Sequence, residues 1–218
     1  MRIARVTSFQ CFSSACWKNP LKRSSSPTGA TIATAINNLV IPPNDEILIL
    51  EDQFPSNVYG WHELAKLSNA KIRTVSRSAD DDWTNAILTN IQDNTKVAAL
   101  PHCHWTDGGL IDLHQVATAL REVNGYLVVD ATQSLGVMPI DIAAIKPDYV
   151  VASCYKWLLG PYSTGIMYIA PQHHDGAPIE YGWADRLGAN DFKSLATYTD
   201  IFQAGDRRID MGERSTLT

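Results

Sequence analysis

Strand-like segments, most of them short apolar runs, recur along the chain near residues 46–50, 71–76, 96–100, 126–130, 149–153 and 165–169, and stretches with helical spacing near 57–69, 83–93 and 112–123 lie between the earlier ones. Tyr126-Leu-Val-Val129 and Tyr149-Val-Val-Ala152 carry no alternating polar positions, so each reads as a strand buried on both faces. Strand and helix alternating in this way predict an α/β fold of three layers, a mainly parallel sheet with helices on both sides. A strand spacing of about 25 residues suits right-handed crossovers. The turn between 149–153 and 165–169 is too short for a parallel crossover, so an antiparallel strand is expected there. Upstream, Ser24-Ser-Ser-Pro-Thr-Gly-Ala-Thr31 opens a helical pattern through Ile32, Ala35, Ile36 and Leu39.

The chemistry-bearing residues fall at the ends of these strands. Asp130 closes the run 126–130 at its C-terminal end, where open α/β sheets bind ligands. A carboxylate there can keep a pyridine nitrogen protonated, which is what pyridoxal phosphate (PLP) needs to act as an electron sink. Gln133 stands three residues on, placed to donate to the ring's phenolic oxygen. The next strand end runs Ser153-Cys-Tyr-Lys156 and is followed by Gly160-Pro161. A lysine just past a buried strand loses its proton more readily and can form a Schiff base with an aldehyde. Ser153 is placed to reach a phosphate. Taken singly, the acid reads as a turn cap and the lysine as a solvated surface residue. Together and in this order they point to PLP. A third strand end, Pro101-His-Cys-His-Trp-Thr-Asp107, invites a metal reading, but no second cluster supplies further ligands at zinc spacing.

On these residues the chain resembles the class V aminotransferase family, fold-type I PLP enzymes that include cysteine desulfurases, selenocysteine lyases and isopenicillin N epimerase-like proteins. An Asp-x-x-Gln strand end and a Ser-x-x-Lys strand end carry the likeness, which runs from about Ser25 to Ser215 and is strongest over 126–169. It implies that Lys156 is the Schiff-base lysine and moves the α-proton of an amino acid, with Asp130 and Gln133 on the ring. Thr28, Gly29 and Ala30 match the helix start that cradles the phosphate; alone, those residues suit an ordinary capped helix equally well. Phe54 matches the ring-stacking aromatic, with a core residue as its other reading. His104, Trp105 and Tyr155 match positions lining the substrate side. Tyr155 departs from the pattern, since the family's desulfurases have His before the lysine. Gly205 matches a loop that reaches a partner's phosphate in a dimer, with Arg207 or Arg208 for charge; Asp206 then stands where desulfurases have Thr.

The same resemblance implies a partial protein. Relatives are much longer, so residues 25–218 are expected to form an incomplete PLP-binding large domain without the small C-terminal domain. Residues 1–24 are expected to be an unrelated or poorly ordered N-terminal segment. The expected activity is transamination, epimerisation or desulfurase-like elimination, with a catalytically inactive fragment as the alternative. A homodimer is expected of the full-length protein. Residues 1–44 contain five Lys and Arg and no Asp or Glu, which leaves an organellar leader as the alternative to a cytoplasmic location. A net charge of −5 without a long basic run argues against nucleic acid as partner. No apolar stretch reaches the roughly 20 residues needed to cross a bilayer. Four scattered cysteines suit a reduced compartment.

Overall fold

The computed structural model describes residues 10–13, 34–162, 164–178, 181–183, 185–193 and 196–209. Among them the strands are β1 (Gln10–Ser13), β2 (Glu46–Leu50), β3 (Lys71–Val75), β4 (Thr95–Pro101), β5 (Tyr126–Asp130), β6 (Tyr149–Ser153) and β7 (Thr164–Ile169). They form one sheet in the order β1-β7-β6-β5-β4-β2-β3. Strands β2 to β6 run parallel, β7 is antiparallel to β6, and β1 is antiparallel to β7. The expected antiparallel strand is therefore present. β1 has no counterpart among the runs singled out above.

The apolar runs are continuous because both faces of the sheet are covered. Alternate side chains divide between two cores, as the two-residue period of a strand requires. Ile47, Ile49, Val97, Ala99, Val128, Tyr149, Met167 and Ile169 pack on one face with Ala35, Leu39, Trp61 and Ala65. Leu48, Leu50, Ala98, Leu100, Leu127, Val129, Val150 and Ala152 pack on the other with Trp83, Ile87, Val116 and Leu120. The first layer contains the helical residues 34–38 and helix α1 (Tyr59–Ser68). The second contains α2 (Trp83–Asn90), α3 (Leu113–Glu122) and the four-residue α4 (Ile142–Ile145).

Aspartates start three of these helices. The Asp82 carboxylate accepts from the Thr84 and Asn85 amides, Asp112 from His114 and Gln115, and Asp141 from Ala144, each satisfying donors that a helix start leaves unpaired. In α3 the buried residues Leu113, Val116, Ala117 and Leu120 follow the helical period. The segment expected to be helical over 83–93 stops at Asn90. Ile91 turns extended with ψ 127°, and the Thr95 hydroxyl accepts the Gln92 amide, so side-chain bonds replace the next helical turn. α1 ends at Asn69 in the left-handed conformation, φ 55°.

The chain path sets the site. From β2 the chain moves outward to β3, then returns across β2 to β4. Loops leaving the C-terminal ends of β2 and β4 thus diverge, and an open α/β sheet has its ligand crevice at such a switch point.

Two substitutions test this account of α3. Leu120→Ala should lower unfolding free energy by about 3 kcal/mol through transfer and cavity costs. Asp112→Ala should cost about 1 kcal/mol through its cap. Urea unfolding of both variants measures the ratio, and equal effects would mean that burial is not what holds α3.

Candidate active site

Four loops converge at the switch point. Gln53, Phe54 and Asn57 follow β2; Pro101, Cys103 and Trp105 come from the end of β4 and its loop; Asp130, Thr132 and Gln133 from the end of β5; Tyr155 and Lys156 from beyond β6. All eleven line one pocket. Of the residues read from the sequence, Phe54, Trp105, Asp130, Gln133, Tyr155 and Lys156 are brought together there.

Asp130 is the last residue of β5, paired across to Pro101 and Val151. It is 8% exposed. Its Oδ1 accepts the Thr132 amide at 2.9 Å. Burial, the largest influence, pushes the carboxyl above its ordinary range, while hydrogen bonds from the Thr132 side chain and amide and the charge of Lys156 pull it down. Beyond β5 the chain turns through helical-type bonds, with the Ser134 and Leu135 amides donating to the Ala131 carbonyl.

The lysine stands on a second tight turn. Cys154 accepts the Gly160 amide at 2.8 Å, Lys156 accepts the Leu159 amide at 3.0 Å, and Leu159 is left-handed with φ 53°. The two turns meet at Gly136, which has φ +103°. A methyl group there would come within 2.7 Å of the Trp157 carbonyl oxygen, so only glycine permits the approach. The Lys156 amine sits 6.0 Å from the centre of the Phe54 ring and 5.8 Å from that of Tyr155. Phe54 meets Trp105 edge to face at 5.5 Å, and Tyr155 stacks on Tyr162 at 4.7 Å. Trp105 is pinned by a 2.6 Å bond from its indole to the Asp52 carbonyl.

Other expected residues are placed differently. His104 does not line the pocket. It is 1% exposed and stacks on Trp83 at 4.7 Å; its Nε2 lies 3.0 Å from the Glu51 carbonyl, and its Nδ1 lies 2.9 Å from the Thr106 hydroxyl. Both ring nitrogens are thus taken up in structure: Nε2 holds the β4 loop to the β2 loop, and Nδ1 bonds within the β4 loop itself. Ser153 is buried at the end of β6, where its amide donates to the Thr132 hydroxyl at 3.0 Å. Thr28, Gly29 and Ala30 lie outside the described residues. Arg208 packs against Phe202 and donates to the Gly176 carbonyl, and Gly205 has φ +71°. Among the described residues no group of three or more His, Cys, Asp or Glu could hold a metal ion.

The pocket also contains residues not picked out from the sequence. Gln53 donates to the Asn57 and Ala99 carbonyls and accepts the Leu50 amide, joining the ends of β2 and β4. Asn57 is 2% exposed, and its Nδ2 has no hydrogen-bond partner. Thr132 carries a signal that sequence does contain: it stands two residues past a strand-end acid. A broader cleft opens at the opposite end of the sheet, lined among others by Lys96, Arg121 and Tyr168. There Lys96 donates to the Asn124 carbonyl and Arg121 to the Ile145 carbonyl, each at the C-terminal end of a helix.

Comparison with known proteins fits this geometry. Residues 25–208 match the aminotransferase class-V family, and the chain belongs to that family. A probable cysteine desulfurase of Mycoplasma genitalium is 30% identical over 177 residues, covering 79% of this chain and 42% of the relative. An uncharacterized aminotransferase of Schizosaccharomyces pombe is 25% identical over 183 residues, covering 81% of this chain and 45% of the relative. In solved structures the fold is shared with a cysteine desulfurase from Thermococcus onnurineus, at a TM-score of 0.74 and 19% identity over 94% of this chain and 47% of the other. It is shared too with a mutant of the enzyme C-DES that has glycine covalently linked to its PLP cofactor, at 0.75 and 19% identity over 94% and 51%. The chain thus spans about half the length of these proteins.

The electrostatics predict a trade. Since the folded protein raises the Asp130 carboxyl above its unfolded value, folding is opposed increasingly as pH rises past about 4, where the unfolded group ionises. Asp130→Asn should therefore make the cofactor-free chain more resistant to urea at pH 7, with the gain vanishing toward pH 4. A gain independent of pH would remove the carboxylate's charge from the explanation. Gly136→Ala should cost about 2 kcal/mol, from strained φ and the clash with Trp157, measurable in the same unfolding experiment.

Proposed function

We propose that this chain binds pyridoxal phosphate and forms the cofactor-binding part of an enzyme acting on an amino acid at its α-carbon, of the cysteine desulfurase-like kind. The observation that carries the reading is the pair Asp130 and Lys156, an acid and an amine from neighbouring strand ends lining one pocket. In pyridoxal phosphate the aldehyde is on the 4-position, opposite the pyridine nitrogen, so the cofactor needs its acid and its amine at two ends of one site. The pocket has further marks of a fit: the buried Asn57 Nδ2 has no acceptor, and Phe54 has a face 6.0 Å from the amine.

When bound, the cofactor supplies an electron sink for charge developing at the substrate's α-carbon. Asp130 would hold the proton on the ring nitrogen, helped by a site that excludes water from the carboxylate. Gln133 would donate to the phenolic oxygen, and Phe54 would pack on the ring. Ser153, Thr28, Gly29 and Ala30 would hold the phosphate. Lys156 would anchor the aldehyde and, once released by the incoming amine, remove and return the α-proton as general base. Trp105 and Tyr155 would border the substrate.

Cysteine is the first substrate to try, because several relatives are described as cysteine desulfurases. Tyr155 stands at the position of the desulfurase histidine, so the proposal is placed at the α-carbon step that transamination, epimerisation and elimination share. The expected partner is a second copy of the chain, as the resemblance implies. No helix among the described residues is long and apolar enough to cross a membrane. The relatives lend no support to an inactive fragment.

The test is chemical trapping. After incubation with pyridoxal phosphate, borohydride should fix one cofactor mass on the peptide containing Lys156, and Lys156→Ala should lose it. That variant should also slow exchange of the α-proton of cysteine or alanine into deuterated water by at least about 100-fold. Fixation elsewhere, or retained in Lys156→Ala, would overturn the lysine's role.

A further inference from the structure

One buried hydroxyl links the acid to the strand that leads to the amine. Thr132 is 7% exposed and lines the pocket. Its Oγ1 accepts the Ser153 amide of β6 at 3.0 Å, and its own amide donates to Asp130 Oδ1 at 2.9 Å. With one lone pair occupied by an amide that cannot accept, the hydroxyl proton is directed away from β6, and the acceptor it meets is the Asp130 carboxylate, to which the Thr132 side chain is hydrogen-bonded. We propose that Thr132 is a positioning residue: its hydroxyl, oriented by the Ser153 amide, fixes the Asp130 carboxylate toward the cofactor ring and couples the ends of β5 and β6. The cofactor part of this inference rests on the function proposed above; the hydrogen-bonded relay does not.

The chain of donors runs in one direction, from the Ser153 amide to the Thr132 hydroxyl and on to the carboxylate. A carboxylate at the end of a buried strand stays ionised only if donors replace the water it has lost. Thr132 contributes two, one from the backbone and one from the side chain. Valine has nearly the same shape and no hydroxyl, so it would leave the Ser153 amide and one carboxylate site unpaired. Serine keeps the hydroxyl. Other groups also face Asp130. Lys156 and Tyr155 come from the loop after β6. Cys103 comes from the loop after β4, as does His102, whose amide donates to the Asp130 carbonyl and whose ring is bonded to Ser134. A charge effect from any of these would persist when Thr132 is changed.

The test follows the Asp130 carboxyl carbon by NMR as a function of pH in the full cofactor-free chain. Thr132→Val should raise its titration midpoint above wild type, and Thr132→Ser should restore it. Pyridoxal phosphate should bind Thr132→Val about tenfold more weakly, the equivalent of one charge-assisted hydrogen bond, with affinity recovered in Thr132→Ser. If Thr132→Val does not fold, wild type alone decides: the Ser153 amide nitrogen should titrate with the same midpoint as the Asp130 carboxyl, because protonating the acid releases the hydroxyl. An unchanged midpoint in Thr132→Val, a serine variant that behaves like valine, or a Ser153 amide indifferent to pH would each overturn the relay. Wild type that shows the relay and yet binds no pyridoxal phosphate would overturn the proposed function instead.

Discussion

The site depends on a carboxylate held at the dry end of a parallel strand. Placing Asp130 there opposes ionisation, and the protein answers with donors from Thr132 and the distant charge of Lys156. Three neighbouring features serve that arrangement. The turn after β5 brings Thr132 back beside the acid, β6 supplies the amide that orients its hydroxyl, and Gly136 lets the two loops touch. A charged ring entering the pocket would relieve the acid of an isolated charge, so the folded chain is built at a local cost that a bound cation can offset.

The sheet order explains why such a place exists at all. With β2 and β4 adjacent and β3 outside them, the connections leave opposite edges of a gap at the strand ends. Gln53 spans that gap with three bonds. The aromatic wall of Phe54 and Trp105 then grows from the β2 and β4 loops, while the charged wall grows from β5 and β6. The pocket is therefore asymmetric by construction, apolar on one side and ionic on the other, which suits a flat ring with a polar edge.

Much of this was legible in the residues. Strands β2, β4, β5, β6 and β7 were visible because most of their residues are buried and polar interruptions are few; β3, an edge strand with only Val75 buried, was visible by its place in the alternation of strands and helices, and α3 because its apolar positions keep the helical period across three turns. Asp130 and Lys156 were visible because strand ends are where α/β sheets display chemistry. What escaped had weak local signals. α4 is a single turn started by Asp141, too short to show a period. β1 is four residues whose pairing is set by β7 far along the chain. His104 looked like a site residue by its place after β4, yet the side chain is drawn inward by Trp83 and the Glu51 carbonyl, contacts made across more than 20 residues of sequence. Thr132 and Asn57 were hidden for a related reason: their significance lies in which partner they have or lack.

The contact at Gly136 has a mechanical meaning. Since the backbone bearing the acid rests against the backbone bearing the amine, neither turn can shift without carrying the other. The separation of the two backbones is thus a fixed gauge, and any adjustment of the amine against the acid falls to the four rotatable bonds of the lysine stem.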